Sequence, residues 1–175
     1  MKKIEKPAEG EFAPYAMMYI GLLPDDRNVL KHLRNNLKST KELIGSLSEE
    51  QLLYRYAENK WTIKEIVSHI VDDERIYTYR ALRFARNDKT ELPGFEQDDF
   101  VRYSGANARS IKDILKEYRA VRNSTLAFFN SLEKKALTRS GVANNHVMSV
   151  RAAAYHIAGH ELHHINIIKE KYLGR

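Results

Sequence analysis

The sequence predicts an all-α protein, a four-helix bundle with one long crossover connection. Three observations carry that expectation. Four long stretches keep their apolar residues at helical spacing, and nothing reads as a strand run. The polar connection over residues 87–109, with Pro93, Gly94 and Gly105, is longer than most loops and long enough to cross a bundle.

Each element follows from local chemistry. Residues 1–24 read as irregular, punctuated by Pro7, Gly10, Pro14 and Pro24. Asp25 or Asp26 is placed to cap a first helix reaching about Leu47, with Val29, Leu30, Leu33, Leu37, Leu43, Ile44 and Leu47 along its apolar side. Ser48-Glu49-Glu50 opens a short turn or helical piece. Thr62 with Glu65 three residues on is a capping-box pattern, and the second long helix runs from there to about Arg86. Ser110 caps a third helix ending near Leu132. A loop through Gly141 and Asn144-Asn145 leads to a fourth helix from about Ser149 to Leu173. No repeat or linker divides the chain, so residues 1–175 read as one domain.

Composition narrows the chemistry. Hydrophobic content of 43% and charged content of 30% are those of a soluble globular domain. The chain has no cysteine, which excludes disulfides, thiolate metal ligands and a cysteine nucleophile. The net charge of +6 comes from Lys and Arg interleaved with Asp and Glu, a pattern of solvated helix faces that does not call for nucleic acid. Met1-Lys2-Lys3 is not followed by an apolar run, and the stretch from Phe12 to Leu23 is broken by Pro14 and too short to span a bilayer. The expectation is a cytoplasmic protein with no membrane partner.

Of seven histidines, four crowd into Tyr155–His164: His156, His160, His163 and His164. Residues four apart are neighbours on a helix, so such a pair can share one metal ion. A helical wheel at about 100° per residue, with His160 at zero, puts the apolar arc of the fourth helix between roughly +20° and +160°. His164 falls within the arc at about +40°, His160 at its edge, and His156 and His163 outside it at about −40° and −60°. The inward pair is therefore His160 and His164, with His156 next on the same stripe and His163 towards the surface. On the second helix His69 sits at the edge of the face formed by Ile63, Ile66, Ile70, Tyr77 and Phe84. Three imidazoles from two facing helices make a three-nitrogen site, and catalytic zinc sites typically keep three protein ligands and an open position. Imidazole suits Zn, Ni, Fe(II) or Cu alike. The plain alternative is a polar seam filled by hydrogen-bonded histidines.

His160–His164 also spells the H-E-x-x-H pattern of zinc proteases. That reading lacks a third ligand downstream, where Glu170 is the sole acidic side chain and lies on the polar side, and it lacks a strand edge for substrate. Glu161 projects at about +100°, into the apolar arc, where a carboxylate must be paired or protonated. It either pairs with an inward Arg, Tyr or His of another helix, or acts as a group that orients a ligand imidazole or as a general base. Asp72 and Asp73 follow His69 by three and four residues; both read more readily as solvated or salt-bridged side chains than as supports for the histidine.

These residues sit in segments that resemble the DinB/YfiT-like superfamily of metal-dependent enzymes, in the branch with a Gly-His-Glu-x-His-His motif. The segments are Phe12-Ala13-Pro14-Tyr15; Lys60-Trp61-Thr62-Ile63-Lys64-Glu65-Ile66 leading to His69; Glu74-Arg75; Tyr79-Arg80-Ala81-Leu82-Arg83; Leu92-Pro93-Gly94-Phe95; Tyr118-Arg119-Ala120-Val121-Arg122; and Gly159-His160-Glu161-Leu162-His163-His164. The resemblance implies a bundle of unusual helix order, a homodimer, and a divalent metal, zinc or nickel, held by His69, His160 and His164. It also implies a metal-dependent enzyme of the thiol S-transferase type, acting on a small-molecule substrate. With no cysteine in the chain, the thiol would be an external cosubstrate, and Arg75, Arg80 and Arg83 are candidates to hold its carboxylates. The alternatives are a hydrolase using metal-bound water with Glu161 as base, and a non-catalytic metal-binding, stress-associated protein.

Overall fold

The computed structural model describes residues 1–174. In chain order the elements are α1 (Met17–Ile20), α2 (Val29–Gly45), α3 (Glu49–Leu53), α4 (Ile63–Ala85), α5 (Gln97–Tyr103), α6 (Ile111–Ser131), α7 (Lys134–Leu137), β1 (Ser140–Ala143), β2 (His146–Ser149) and α8 (Val150–Ile167). A π-helical turn, Ile168–Tyr172, continues α8. The four-helix bundle is formed by α2, α4, α6 and α8.

Caps legible in the sequence start three of these helices. Thr62 Oγ1 accepts from the Glu65 N–H at 3.1 Å, and Glu65 Oε2 accepts from the Thr62 N–H at 2.8 Å. Ser110 and Ser149 cap α6 and α8 in the same way, accepting from the N–H of Asp113 and Ala152. The first long helix begins later than its acidic residues suggested. Asp26 does not cap it; its carboxylate accepts from the Asn28 N–H, an Asx turn that delays helical geometry until Val29.

Side-chain bonds between helices define the topology. Lys64 of α4 donates to the Arg109 carbonyl just before α6, and Thr78 reaches Thr125, so α4 and α6 run parallel. Asn36 of α2 donates to the Ala158 carbonyl and Thr40 to Glu161, so α2 and α8 are also parallel. His69 faces His160 and His164 while Tyr77 faces His156, so α4 and α8 are antiparallel. Each of α2 and α4 packs on both α6 and α8, which leaves α2 opposite α4 and α6 opposite α8 across the bundle. Joining parallel neighbours α4 and α6 requires the chain to return the length of the bundle. The long connection does this, carrying α5 on the way.

The expectation of no strands is corrected at one place. Residues 140–149 form an antiparallel hairpin, Ser140 opposite Ser149 and Ala143 opposite His146. Asn144 and Asn145 make its two-residue turn with φ of 51° and 61°, the left-handed pair that this turn requires and that Asn tolerates. Leu92 of the crossover pairs beside β1, its N–H donating to the Val142 carbonyl at 3.0 Å. Four-residue strands are too short to show alternation. No described helix is long and apolar enough to cross a membrane.

The apolar core falls into two clusters, one around Leu30, Leu33, Phe84, Phe129 and Ala154, the other around Ile44, Ile66, Ile70, Ile114 and Ile165. Between them each bundle helix contributes polar residues at one height: Asn36 and Thr40, Asp73 and Glu74, Arg122, and Glu161. The candidate site adjoins this polar layer.

Candidate metal centre

His69 on α4 and His160 and His164 on α8 come together by the same ring nitrogen. His160 Nε2 lies 3.1 Å from His69 Nε2 and 3.0 Å from His164 Nε2. His69 and His160 are buried and His164 partly so. A neutral imidazole has one N–H and one acceptor nitrogen, so three Nε2 atoms crowded together cannot all be satisfied by one another. A divalent cation accepts lone pairs from all three. Metal–nitrogen bonds of about 2.0–2.1 Å put tetrahedral ligands about 3.3 Å apart, close to these spacings.

The electrostatics suit ligation. Burial pushes His69 down, with Asp73 pulling the other way. Burial likewise takes His160 well below the ordinary histidine value, aided by the charges of His164 and His156 and opposed by Asp73. His164 is lowered to about 3 by burial and then by its histidine neighbours. All three imidazoles are neutral at pH 7, the form that binds metal.

Aromatic side chains frame the cluster. The Trp61 ring lies 4.8 Å from that of His69 and 6.3 Å from that of His164, and its carbonyl accepts from the Tyr172 hydroxyl at 2.6 Å. The π turn after α8 thus reaches back to the residue before the Thr62 cap. Tyr19 of α1 meets His156, His160 and His163 edge-on, with centroids 5.1–5.2 Å away. Gly159 makes that approach possible, because a β-carbon there would collide with the Tyr19 backbone carbonyl. The wheel had turned Gly159 and His156 towards solvent; α1 covers that face, and α8 is buried all round from Ala152 to Glu161. His156 is stacked on Tyr77 with centroids 3.6 Å apart, and His163 is partly exposed.

Two clefts reach the histidines from either side of Tyr19. One is lined by Trp61, Lys60, Asp98, Tyr172, His163 and His164. The other is lined by Tyr77, Arg80, Phe95, Asp73, His156 and His160. Of the arginines considered for substrate, Arg80 alone lines a cleft. Arg75 pairs with Asp72 and Glu117, and Arg83 with Asp88 and the Tyr79 hydroxyl.

Glu161 does not join the histidines. It is wholly buried against α2 and α6, where Oε1 accepts from Thr40 Oγ1 at 2.7 Å and from the Tyr118 hydroxyl, and Oε2 from Arg122 Nη2 at 2.8 Å. Arg122 also holds Glu74 through Nε and Nη2, at 2.9 and 2.8 Å, and donates from Nη1 to the Leu33 carbonyl. Of the two readings of Glu161, the partner of an inward Arg and Tyr describes its surroundings. Asp73, read as solvated or salt-bridged, is buried, with Oδ2 3.3 Å from His156 Nε2 and 3.4 Å from His160 Nδ1. Tyr19 and Trp61 are not picked out by helical spacing. A glycine inside the histidine motif was the available signal for Tyr19, since an interior helical glycine marks a close approach.

Comparison with known proteins places this arrangement among relatives. Residues 32–168 match the sequence profile of the DinB superfamily. A protein of Oceanobacillus iheyensis, named as a candidate metal-dependent hydrolase, is 26% identical over 149 residues, covering 84% of this chain and 85% of its own. The structure is similar to that of YfiT from Bacillus subtilis, described as a probable metal-dependent hydrolase with an unusual four-helix bundle topology. The TM-score is 0.72 and the identity 17%, over 95% of this chain and 91% of that one. At that identity the likeness is one of fold.

Proposed function

This chain belongs to the DinB superfamily, and on that premise we propose that it is a metal-dependent enzyme whose divalent ion is held by His69, His160 and His164. The observation that carries the reading is the convergence of three Nε2 atoms, on two buried imidazoles and one partly buried, beside an open cleft. A bound divalent ion supplies a positive charge that turns a coordinated thiol or water into a nucleophile at neutral pH.

The surrounding residues favour an external thiol as that nucleophile and an S-transfer to a small electrophile as the reaction. Glu161, the base a hydrolase would call on, is committed to Arg122, Tyr118 and Thr40. A thiol needs no strong protein base, because coordination alone lowers its pKa enough. Trp61 and Tyr172 offer apolar walls to the incoming ligand, Lys60 offers a cation at the mouth of one cleft, and Arg80 one in the other. Hydrolysis remains the second reading. The names of the O. iheyensis and B. subtilis relatives favour it, and Asp98 lines the cleft that opens on His164.

Untagged protein tests the site through its metal content: zinc or nickel should copurify, and His160→Ala should lose it. Unchanged metal in His160→Ala defeats the ligand assignment. A panel of low-molecular-weight thiols with a model electrophile then separates the reactions. Acceleration by metal-loaded protein, absent in His164→Ala, supports transfer. Ester or amide hydrolysis without thiol supports the second reading. Metal without either activity leaves a metal-binding scaffold.

A further inference from the structure

Beside the histidine triad lies another group of donors that the proposed function does not use. Asp73 Oδ2, a nitrogen of His156 and a nitrogen of His160 all fall within 4.8 Å of one another, and all three residues are buried. We infer that Asp73, His156 and His160 Nδ1 form a second divalent-cation site, so that His160 bridges two metal ions, Nε2 to one and Nδ1 to the other.

Three features point this way. The spacings are long for charge-assisted hydrogen bonds and close to those of neighbouring ligands on one ion. Asp73 Oδ2 stands 3.3 Å from His156 Nε2 and 3.4 Å from His160 Nδ1. A charge-assisted N–H···O bond closes to about 2.7–2.9 Å, whereas neighbouring ligands on one ion stand about 3.3 Å apart. The donors also lack other partners: Asp73 Oδ2 and both ring nitrogens of His156 are buried without a hydrogen bond. Leaving such groups unsatisfied is costly, and a cation satisfies Asp73 Oδ2 and one nitrogen of His156 at once. Finally, access is separate. Asp73, His156 and His160 open onto the cleft on the far side of Tyr19 from His164.

The local fields are consistent with a cation there. Asp73 places a carboxylate inside the protein with no Lys or Arg paired to it among the described residues. His156 is clamped against Tyr77. The nearest built-in cation, Arg80, is drawn off to the Pro93 carbonyl at 2.8 Å and to the Tyr77 ring. Binding the second ion exchanges it for the Nδ1 proton of His160, which leaves to solvent. The imidazolate then carries one ion on each nitrogen.

The bridge makes a stoichiometric prediction that does not depend on activity. Untagged full-length protein is stripped with chelator and titrated with Co(II), following heat and the visible Co(II) bands. Wild type should take up two equivalents. Asp73→Asn and His156→Gln, which preserve shape, should each keep one; His69→Ala should also keep one; His160→Ala should keep none. Circular dichroism of each stripped variant checks that it is folded, and the two conservative variants back each other up. One equivalent in wild type, or two retained in folded Asp73→Asn or His156→Gln, overturns the second site. The two readings fail separately: a loss in His69→Ala with no change in His156→Gln leaves the triad standing alone, and the reverse leaves only the second site.

Discussion

Helix α8 separates two buried clusters of ionisable side chains that differ in one respect, whether their polar atoms are paired. On the face towards α2 and α6, Glu161, Arg122 and Glu74 are wholly buried, and their charged groups are bound to one another, to Tyr118 and Thr40, and to a backbone carbonyl. On the face towards α4, the histidines and Asp73 crowd lone pair against lone pair, with Asp73 Oδ2, His69 Nδ1 and both His156 nitrogens unpartnered. A saturated network has nothing left to offer a ligand and serves the fold. An unsaturated one is costly to the fold and is the mark of a place where something binds. The lesson is that burial and charge alone do not identify a site; the count of free lone pairs does.

Breaking the saturated side should have the largest effect. Arg122→Ala leaves two carboxylates buried without their counter-ion and should cost about 3–5 kcal/mol, read by urea unfolding. Metal uptake by the folded fraction should be unchanged. Breaking the other side should do the opposite. His164→Ala should leave the stripped protein about as stable as wild type but remove the stabilisation due to the triad ion, which at a hundredfold excess over its Kd is about 2.7 kcal/mol, read as the drop, relative to wild type, in the gain in unfolding stability on adding Zn(II). A loss of stability without loss of metal in His164→Ala would erase the distinction between the two clusters.

Smaller perturbations refine it. Gly159→Ala drives a methyl group into the Tyr19 carbonyl. It should cost about 1–3 kcal/mol by thermal unfolding, and should raise solvent exposure of Tyr19 measured by iodide quenching or hydrogen exchange of α1. Thr40→Val removes one of the donors to Glu161 and leaves Tyr118 in place. It should cost about 1 kcal/mol in urea and leave metal content alone.

The grouping of His69, His160 and His164 was readable in the sequence because helical spacing puts His160 and His164 on one stripe, and the same wheel puts His69 at the edge of its own. The caps at Thr62 and Ser110, and the start of the fourth helix at Ser149, were readable because the capping partners lie three residues away. What escaped depends on distant neighbours. The fate of Glu161 is decided by Tyr118 and Arg122, 43 and 39 residues earlier in the chain. Asp73 looked solvated because its own helix does not show that α8 lies over it. His156 fell outside the apolar arc because the wheel does not show that α1 folds across that face of α8. The hairpin at 140–149 was hidden by strands too short to alternate, although Asn144-Asn145 was in view.

The connection that runs the length of the bundle has a consequence for how the protein is made. His69 and His160 are 91 residues apart in the chain. During synthesis α2, α4 and α6 all leave the ribosome before α8, so Glu74 and Arg122 can meet while His69 and Asp73 still face an empty slot. The slot is closed only when α8 docks, and that single event delivers Glu161 to the waiting arginine and two imidazoles to the waiting one. With the ion held as proposed, metal capture and the final step of assembly are the same moment, and a nascent chain stalled before α8 should hold no metal at all.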